Sequence, residues 1–318
     1  MIRETEGSLD IATKRSLYIR AKKEIKKNWQ VYVMLIPLTA FYIVFYLMPL
    51  YGVQIAFRNF SPSKGIWGSD WVGLDNFKKF FYSPYFKLVI KNTFLISIYN
   101  LAVGIPLPII LALIINHERN AGFKRVVQTI SYAPHFISTV VIVGMLKMFL
   151  SPYNGIVSII VNALGGTAQN YMAKPELFRH LYVWSGVWQN LGFSAIIYIA
   201  ALTAVSPELH EAAVIDGANV LKRIWHIDIP GILPTVVIMT ILSIGSILSV
   251  GYEKVYLMQN DLNGDVSEVI STYVYKQGLL SAKYSYASAA GLFNSVVNFT
   301  MLVIANYISG KLGETSLF

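Results

Sequence analysis

Six stretches of this chain are each long and apolar enough to cross a bilayer, and that feature restricts the fold more than any other. They run roughly over residues 31–55, 88–116, 126–150, 180–204, 232–252 and 286–309. A helix crosses the hydrocarbon core with about 20 mainly apolar residues, and backbone groups in lipid must be bonded within the segment. The expected fold is therefore all-α, a polytopic membrane protein with six transmembrane helices. Composition agrees: only 14% of the residues are charged, where a soluble domain carries about 25%. With no cysteine in the chain, disulfides, thiolate metal sites and cysteine nucleophiles are excluded.

Charge sets the orientation. Lys14, Arg15, Arg20, Lys22, Lys23, Lys26 and Lys27 directly precede the first apolar run. That run is too long for a signal-peptide core and no small-residue cleavage site follows it, so it is expected to remain as an anchor. Lys and Arg are denser in 1–30, 117–125, 205–231 and 310–318 than in 56–87, 151–179 and 253–285. The positive-inside rule then puts the first set, with both termini, on the cytoplasmic side. The expected parts are a basic N-terminal segment 1–30, a six-helix domain 31–309 and a tail 310–318. The net charge of +9 reads as a membrane flank touching lipid. It does not read as a nucleic-acid surface, because the cations do not interleave with aromatics.

The stretch EAAVIDGANVLKRIWHIDIP (211–230) interrupts this oily pattern with polar residues and still reads as helix. Ser206 and Pro207 suit an N-cap and a first helical position, and Gly217 permits a turn. A second short helix is expected from Ala218 to Ile227, with Pro230 and Pro234 marking re-entry into the bilayer. Leu209, Ala212, Ala213 and Ile215 give the first helix an apolar face with no lipid to bury it, as in a helix that docks into a partner's groove.

Glu211-Ala212-Ala213, three residues, Gly217, nine residues and Ile227-Asp228-Ile229-Pro230 closely resemble the EAA motif of binding-protein-dependent ABC importer permeases. Only Ile229 departs from the usual pattern, which has Leu there. WVGLDNFKKFF (71–81), KNTFLIS (91–97) and QTISYAPHFISTVVIVGM (128–145) are similar to sugar permeases of the maltose-transporter type. The third stretch is most like the LplB-like subgroup and its alginate- or pectin-fragment permeases. The resemblance covers about 30–310 and implies the transmembrane subunit of a type I ABC importer in a bacterial inner membrane. It also implies a second, homologous permease, two ATPase subunits, and an extracellular or periplasmic binding protein that delivers oligosaccharide. In that family the 205–231 loop is the coupling helix, so Glu211, Ala212, Ala213, Asp216 and Gly217 are expected to contact the ATPase.

No G-x-x-x-x-G-K-[ST] loop is present, and no nucleophile elbow, H-E-x-x-H or placed carboxylate pair. The chain is expected to be non-catalytic and to hold no cofactor, with ATP and Mg bound by the partner ATPase. His117, His180, His210 and His226 fall at loops or span ends and read as solvated. Polar groups within spans turn away from lipid, toward other helices or a water-filled path. Gln189, Asn190 and Phe193 on the fourth span suit a sugar path, because sugars present hydroxyls and apolar ring faces; helix packing is the alternative. The family comparison adds Ser131, His135 and Ser243. Trp184 and Tyr198 read as packing or interface aromatics, Asn294 and Asn298 as packing, and Lys147 as either an interface anchor or a contact for an acidic sugar. Two other readings remain. An amino-acid or peptide importer permease sits poorly with the long 56–87 loop, and a polytopic glycosyltransferase would need acidic catalytic motifs.

Overall fold

The computed structural model describes residues 23–311 apart from residue 25, so most of the segment 1–30 and of the tail 310–318 lies outside the described residues. In chain order, α1 is Trp29–Phe57, α2 Tyr85–His117, α3 Ala121–Phe136, α4 Thr139–Phe149 and α5 Pro175–Thr203. They are followed by the short α6 (Pro207–Ile215), α7 (Val220–Ile244), the short α8 (Tyr252–Met258) and α9 (Tyr284–Lys311). Five of these (α1, α2, α5, α7 and α9) are each long and apolar enough to span a membrane. The pair α3 and α4 makes a sixth span bent by 99°. The strand content among the described residues is one two-residue pairing, Arg58–Asn59 with Asp70–Trp71.

The bend corrects the expectation of one continuous third span over 126–150. Pro134 withdraws a backbone donor, the chain tightens over Ala133–Phe136, and Ile137 is extended at φ −81° and ψ 131°. Ser138 then restarts the helix as its N-cap, accepting from the Val141 N–H. The fifth span is corrected too. It begins at Val220 instead of 232, absorbing the separate short helix expected from Ala218 to Ile227, and it ends at Ile244, leaving residues 245–251 non-helical. Pro230 has no N–H to give, and its ring conflicts with the carbonyl four residues earlier. The chain answers with a widened turn over Ile224–Asp228, in which the Ile229 N–H reaches back to the Ile224 carbonyl.

The helix α5 is central, packing most extensively on α2 and also on α7. Ala112, Leu113, Ala195, Tyr198, Leu202 and Ile232 form the apolar core near the 205–231 loop. A second core gathers Phe80, Val89, Ile270, Tyr273 and Ala290 at the other end of the bundle. There the quoted 71–81 and 91–97 stretches act as fasteners. Buried Asn76 donates to the Ala56 and Arg58 carbonyls. Asn92 donates to the Asp265 and Glu268 carbonyls, and the Thr93 hydroxyl accepts from the Ile270 N–H. By contrast α1 buries no side chain before Ala56. A helix that is apolar all round and uncovered by the other described residues needs lipid or another subunit against it.

Candidate functional site

Two places combine polar chemistry with access. The first is the 205–231 loop. Helix α6 starts with Ser206 as N-cap and Pro207 as first residue. It ends in paired bonds, Ala218 N–H to the Ala213 carbonyl at 2.8 Å and Gly217 N–H to the Val214 carbonyl at 3.0 Å. That is a Schellman ending, which requires a left-handed residue after the cap, and Gly217 takes it at φ +76°. Glu211, Ala212, Asp216 and Gly217 are exposed and Ala213 is half-buried. Leu209, Val214 and Leu221 are exposed as well, and Ile215 is 86% exposed. Among the described residues nothing covers this face.

The same loop is locked to the bundle from inside. Asp228, in the widened turn of α7, is 0% exposed. His117 at the end of α2 donates from Nε2 to its Oδ2 at 2.7 Å. His210 on α6 brings its Nε2 to 3.2 Å from Oδ1, at an angle that leaves that oxygen short of a formed hydrogen bond. One carboxylate thus gathers α2, α6 and α7. The expectation that His117 and His210 are solvated is corrected, since burying Asp228 requires partners. His180 is also engaged, its Nδ1 lying 2.9 Å from the Tyr99 hydroxyl, which accepts from Trp184. His226 stays exposed beside the Lys222 carbonyl.

The second place is the polar face of α5. Asn190 is exposed; its amide oxygen accepts from His135 Nδ1 at 2.9 Å, and its Nδ2 donates to the Gly186 carbonyl. The His135 and Phe193 rings stack at 3.8 Å with 3° between planes, so His135, Asn190 and Phe193 form one cluster across the break between α3 and α4. Gln189 instead donates to the Ile137 carbonyl at 2.8 Å, satisfying the backbone freed at that break. Ser131 marks a close crossing: a Cβ on Gly192 would lie 2.2 Å from its carbonyl oxygen, and its hydroxyl turns to Gln128. Asn190 and Gln189 line a cavity of about 340 Å³ with Asn100, Thr139, Ser194 and Lys254. Ser243 lines a neighbouring cavity that shares Asn100 and Tyr182 with the first.

Residues 104–314, including the whole 205–231 loop and the polar face of α5, match the family of binding-protein-dependent transport system inner membrane components. The chain belongs to that family. Protein LplB of Bacillus subtilis is 39% identical over 92% of this permease and 92% of its own length. The polygalacturonan/rhamnogalacturonan transport system permease protein YteP of the same organism is 41% identical, covering 90% and 89%. Among solved structures, a chain of a bacterial ABC transporter involved in the import of the acidic polysaccharide alginate superposes with TM-score 0.85 at 38% identity. That match covers 93% of this chain and all of the other. A chain of a bacterial alginate ABC transporter solved in complex with an alginate pentasaccharide-bound periplasmic protein also superposes at TM-score 0.85, at 37% identity. The permease fold is that of a type I ABC importer subunit.

Two lining residues of the permease cavity were not singled out from sequence. Asn100 is a mid-span amide on α2, and the polar-in-a-span rule that drew attention to Asn190 applies to it equally. Lys254 sits after the fifth span and reads as a loop cation, yet it is only 8% exposed. Its Nζ donates to the Tyr182 carbonyl at 3.0 Å and lies 5.0 Å from the centre of the Tyr182 ring. Burial pushes its ammonium down to about 8. Asn298 belongs to packing, accepting from the Leu248 N–H and donating to Ser249, whereas the buried Asn294 oxygen has no hydrogen-bond partner. Lys147 is exposed in the last turn of α4.

Proposed function

We propose that this permease is one membrane half of an ATP-driven importer for oligosaccharides cut from acidic polysaccharides of the pectin or alginate type. The observation that carries the reading is the amide-lined cavity on α5 inside a permease fold. Asn190 and Asn100 offer donors and acceptors to hydroxyls, and Phe193, stacked on His135 next to Asn190 and outside the cavity lining, offers an apolar ring face. Gln189 lines the same wall, Ser131 backs it at the crossing with Gly192, and Ser243 continues the lining in the neighbouring cavity. The names carried by the relatives, polygalacturonan, rhamnogalacturonan and alginate, support the acidic class. They leave the amino-acid or peptide importer and the glycosyltransferase readings without support.

In this reading the chain is non-catalytic. A second permease covers the bare face of α1 and completes the path, and a binding protein delivers substrate on the side away from α6. A pair of ATPase subunits hydrolyses ATP. One of them receives α6, with Glu211, Ala212, Ala213, Asp216 and Gly217 at the contact. Both termini are cytoplasmic. Purified importer with all its subunits, reconstituted in liposomes, tests the function: uptake of oligogalacturonate or alginate oligosaccharide on ATP addition is expected. Uptake confined to peptides or amino acids would refute it. For orientation, Ala121→Cys in this cysteine-free chain should react with a membrane-impermeant maleimide only in inverted vesicles.

A further inference from the structure

Among the described residues Lys254 is the one cation lining the cavity on α5, and its burial needs a reason. An ammonium removed from water is costly unless paired. Among the described residues no carboxylate lies within ion-pair distance of it. Its protein acceptor is the Tyr182 carbonyl, which uses one of three N–H donors. The position is closely held: a Cβ on Gly186 would stand 3.2 Å from Nζ, and Asn190, one turn further along α5, hydrogen-bonds to the Gly186 carbonyl. The ammonium and the Asn190 amide therefore both approach Gly186, on the stretch of α5 that lines the cavity.

We infer that Lys254 is the carboxylate-reading group of this permease, pairing with a uronate carboxylate while Asn190 and Asn100 take the neighbouring hydroxyls. The assignment rests on the path proposed above and deepens it, since it places a single point of charge selection within the membrane subunit. The charge complementarity is specific. A neutral sugar would leave the ammonium with the Tyr182 carbonyl and ring, whereas a uronate supplies a counter-charge that none of the described residues provides. The remainder of the lining recognises hydroxyls, which acidic and neutral sugars share.

The test uses the whole reconstituted importer and a matched pair of probes, oligogalacturonate and its methyl-esterified, uncharged form. A charge-assisted hydrogen bond is worth enough that Lys254→Gln should reduce oligogalacturonate uptake about tenfold or more. Uptake of the ester should change by less than about twofold, and Lys254→Arg should retain most of the acidic uptake. Copurification of the second permease and the ATPase with each variant checks assembly. Equal loss of both probes, or loss of assembly, would make Lys254 a packing residue and overturn the inference. Unchanged oligogalacturonate uptake by Lys254→Gln would overturn it as well. Wild-type importer that moves neither probe would instead overturn the acidic-oligosaccharide reading itself, and the role of Lys254 with it.

Discussion

The 205–231 loop and the α5 cavity are built on opposite principles. At the loop, one continuous stretch of sequence supplies the exposed face, the cap, the left-handed glycine and the buried aspartate. At the cavity, Asn100, Thr139, Asn190 and Lys254 come from α2, α4, α5 and α8, and tertiary packing alone brings them together. The loop has a rigid local shape and an uncovered surface, which suits a part that receives a push. The cavity has loosely distributed polar groups, which suits a part that must hold and then release a sugar. Damage should therefore be severe and substrate-independent at the loop, and graded and substrate-dependent at the cavity.

The largest effect is expected at Asp228, where the loop is tied to the bundle. Asp228→Ala leaves the half-buried His117 N–H without its acceptor, a cost of about 1–3 kcal/mol, and unties α6 from α2 and α7. Uptake of every substrate should fall at least about tenfold, with a lowered melting temperature for the complex. Near-normal uptake and melting would show that the carboxylate is not the tie between loop and bundle. Gly217 comes next. A Cβ there meets nothing within 4 Å, so only backbone strain opposes substitution, about 1–2 kcal/mol in the left-handed region. Gly217→Ala should weaken ATPase copurification and Gly217→Asn should weaken it less, because Asn tolerates that conformation. The reverse order would point to surface contact instead of backbone shape.

This contrast also governs what the sequence could reveal. The α6 cap at Ser206 and Pro207 and the turn at Gly217 depend on neighbours within a few residues, so spacing alone located them. The tie between His117 and Asp228 spans 111 positions, and no periodicity reports it. The break of the third span had a local signal, Pro134 followed by a serine able to cap at 138, but the surrounding apolar run masked it. Pro230 was read as the start of a span, whereas the widened turn at Ile224–Asp228 lets the helix run on from Val220. Lys254 lay hidden for a different reason: a lysine just beyond an apolar run resembles an interface anchor, and only the fold shows that α8 turns it inward.

A surface charge at the loop should have a smaller effect than the two backbone-linked changes. Glu211 is exposed and has no ion pair among the described residues. Glu211→Lys should therefore leave the melting temperature of the isolated permease unchanged. It should lower ATPase copurification and substrate-stimulated hydrolysis several-fold, to the same extent for every sugar. A variant that keeps full stimulation would remove Glu211 from the contact and leave the apolar face of α6 to carry it.

The finest test separates two adjacent amides on α5. Gln189 spends its Nε2 on the Ile137 carbonyl, where the chain between α3 and α4 has lost its helical partner. Asn190 faces the cavity and bonds mainly to its own helix and to His135. Leucine is close in size to both and removes only the polar end. Gln189→Leu should orphan a half-buried carbonyl and show itself as lower stability or poorer assembly, at about 1–3 kcal/mol, with similar loss for acidic and neutral sugars. Asn190→Leu should assemble normally and raise the substrate concentration needed for half-maximal uptake by a few-fold, the scale of one neutral hydrogen bond of about 1 kcal/mol. Phe193→Ala should act in the same direction, because it removes the ring stacked on His135 and the apolar face offered to a sugar. If Asn190→Leu costs assembly while Gln189→Leu costs only uptake, the two assignments exchange places and the path runs along the Gln189 side of α5.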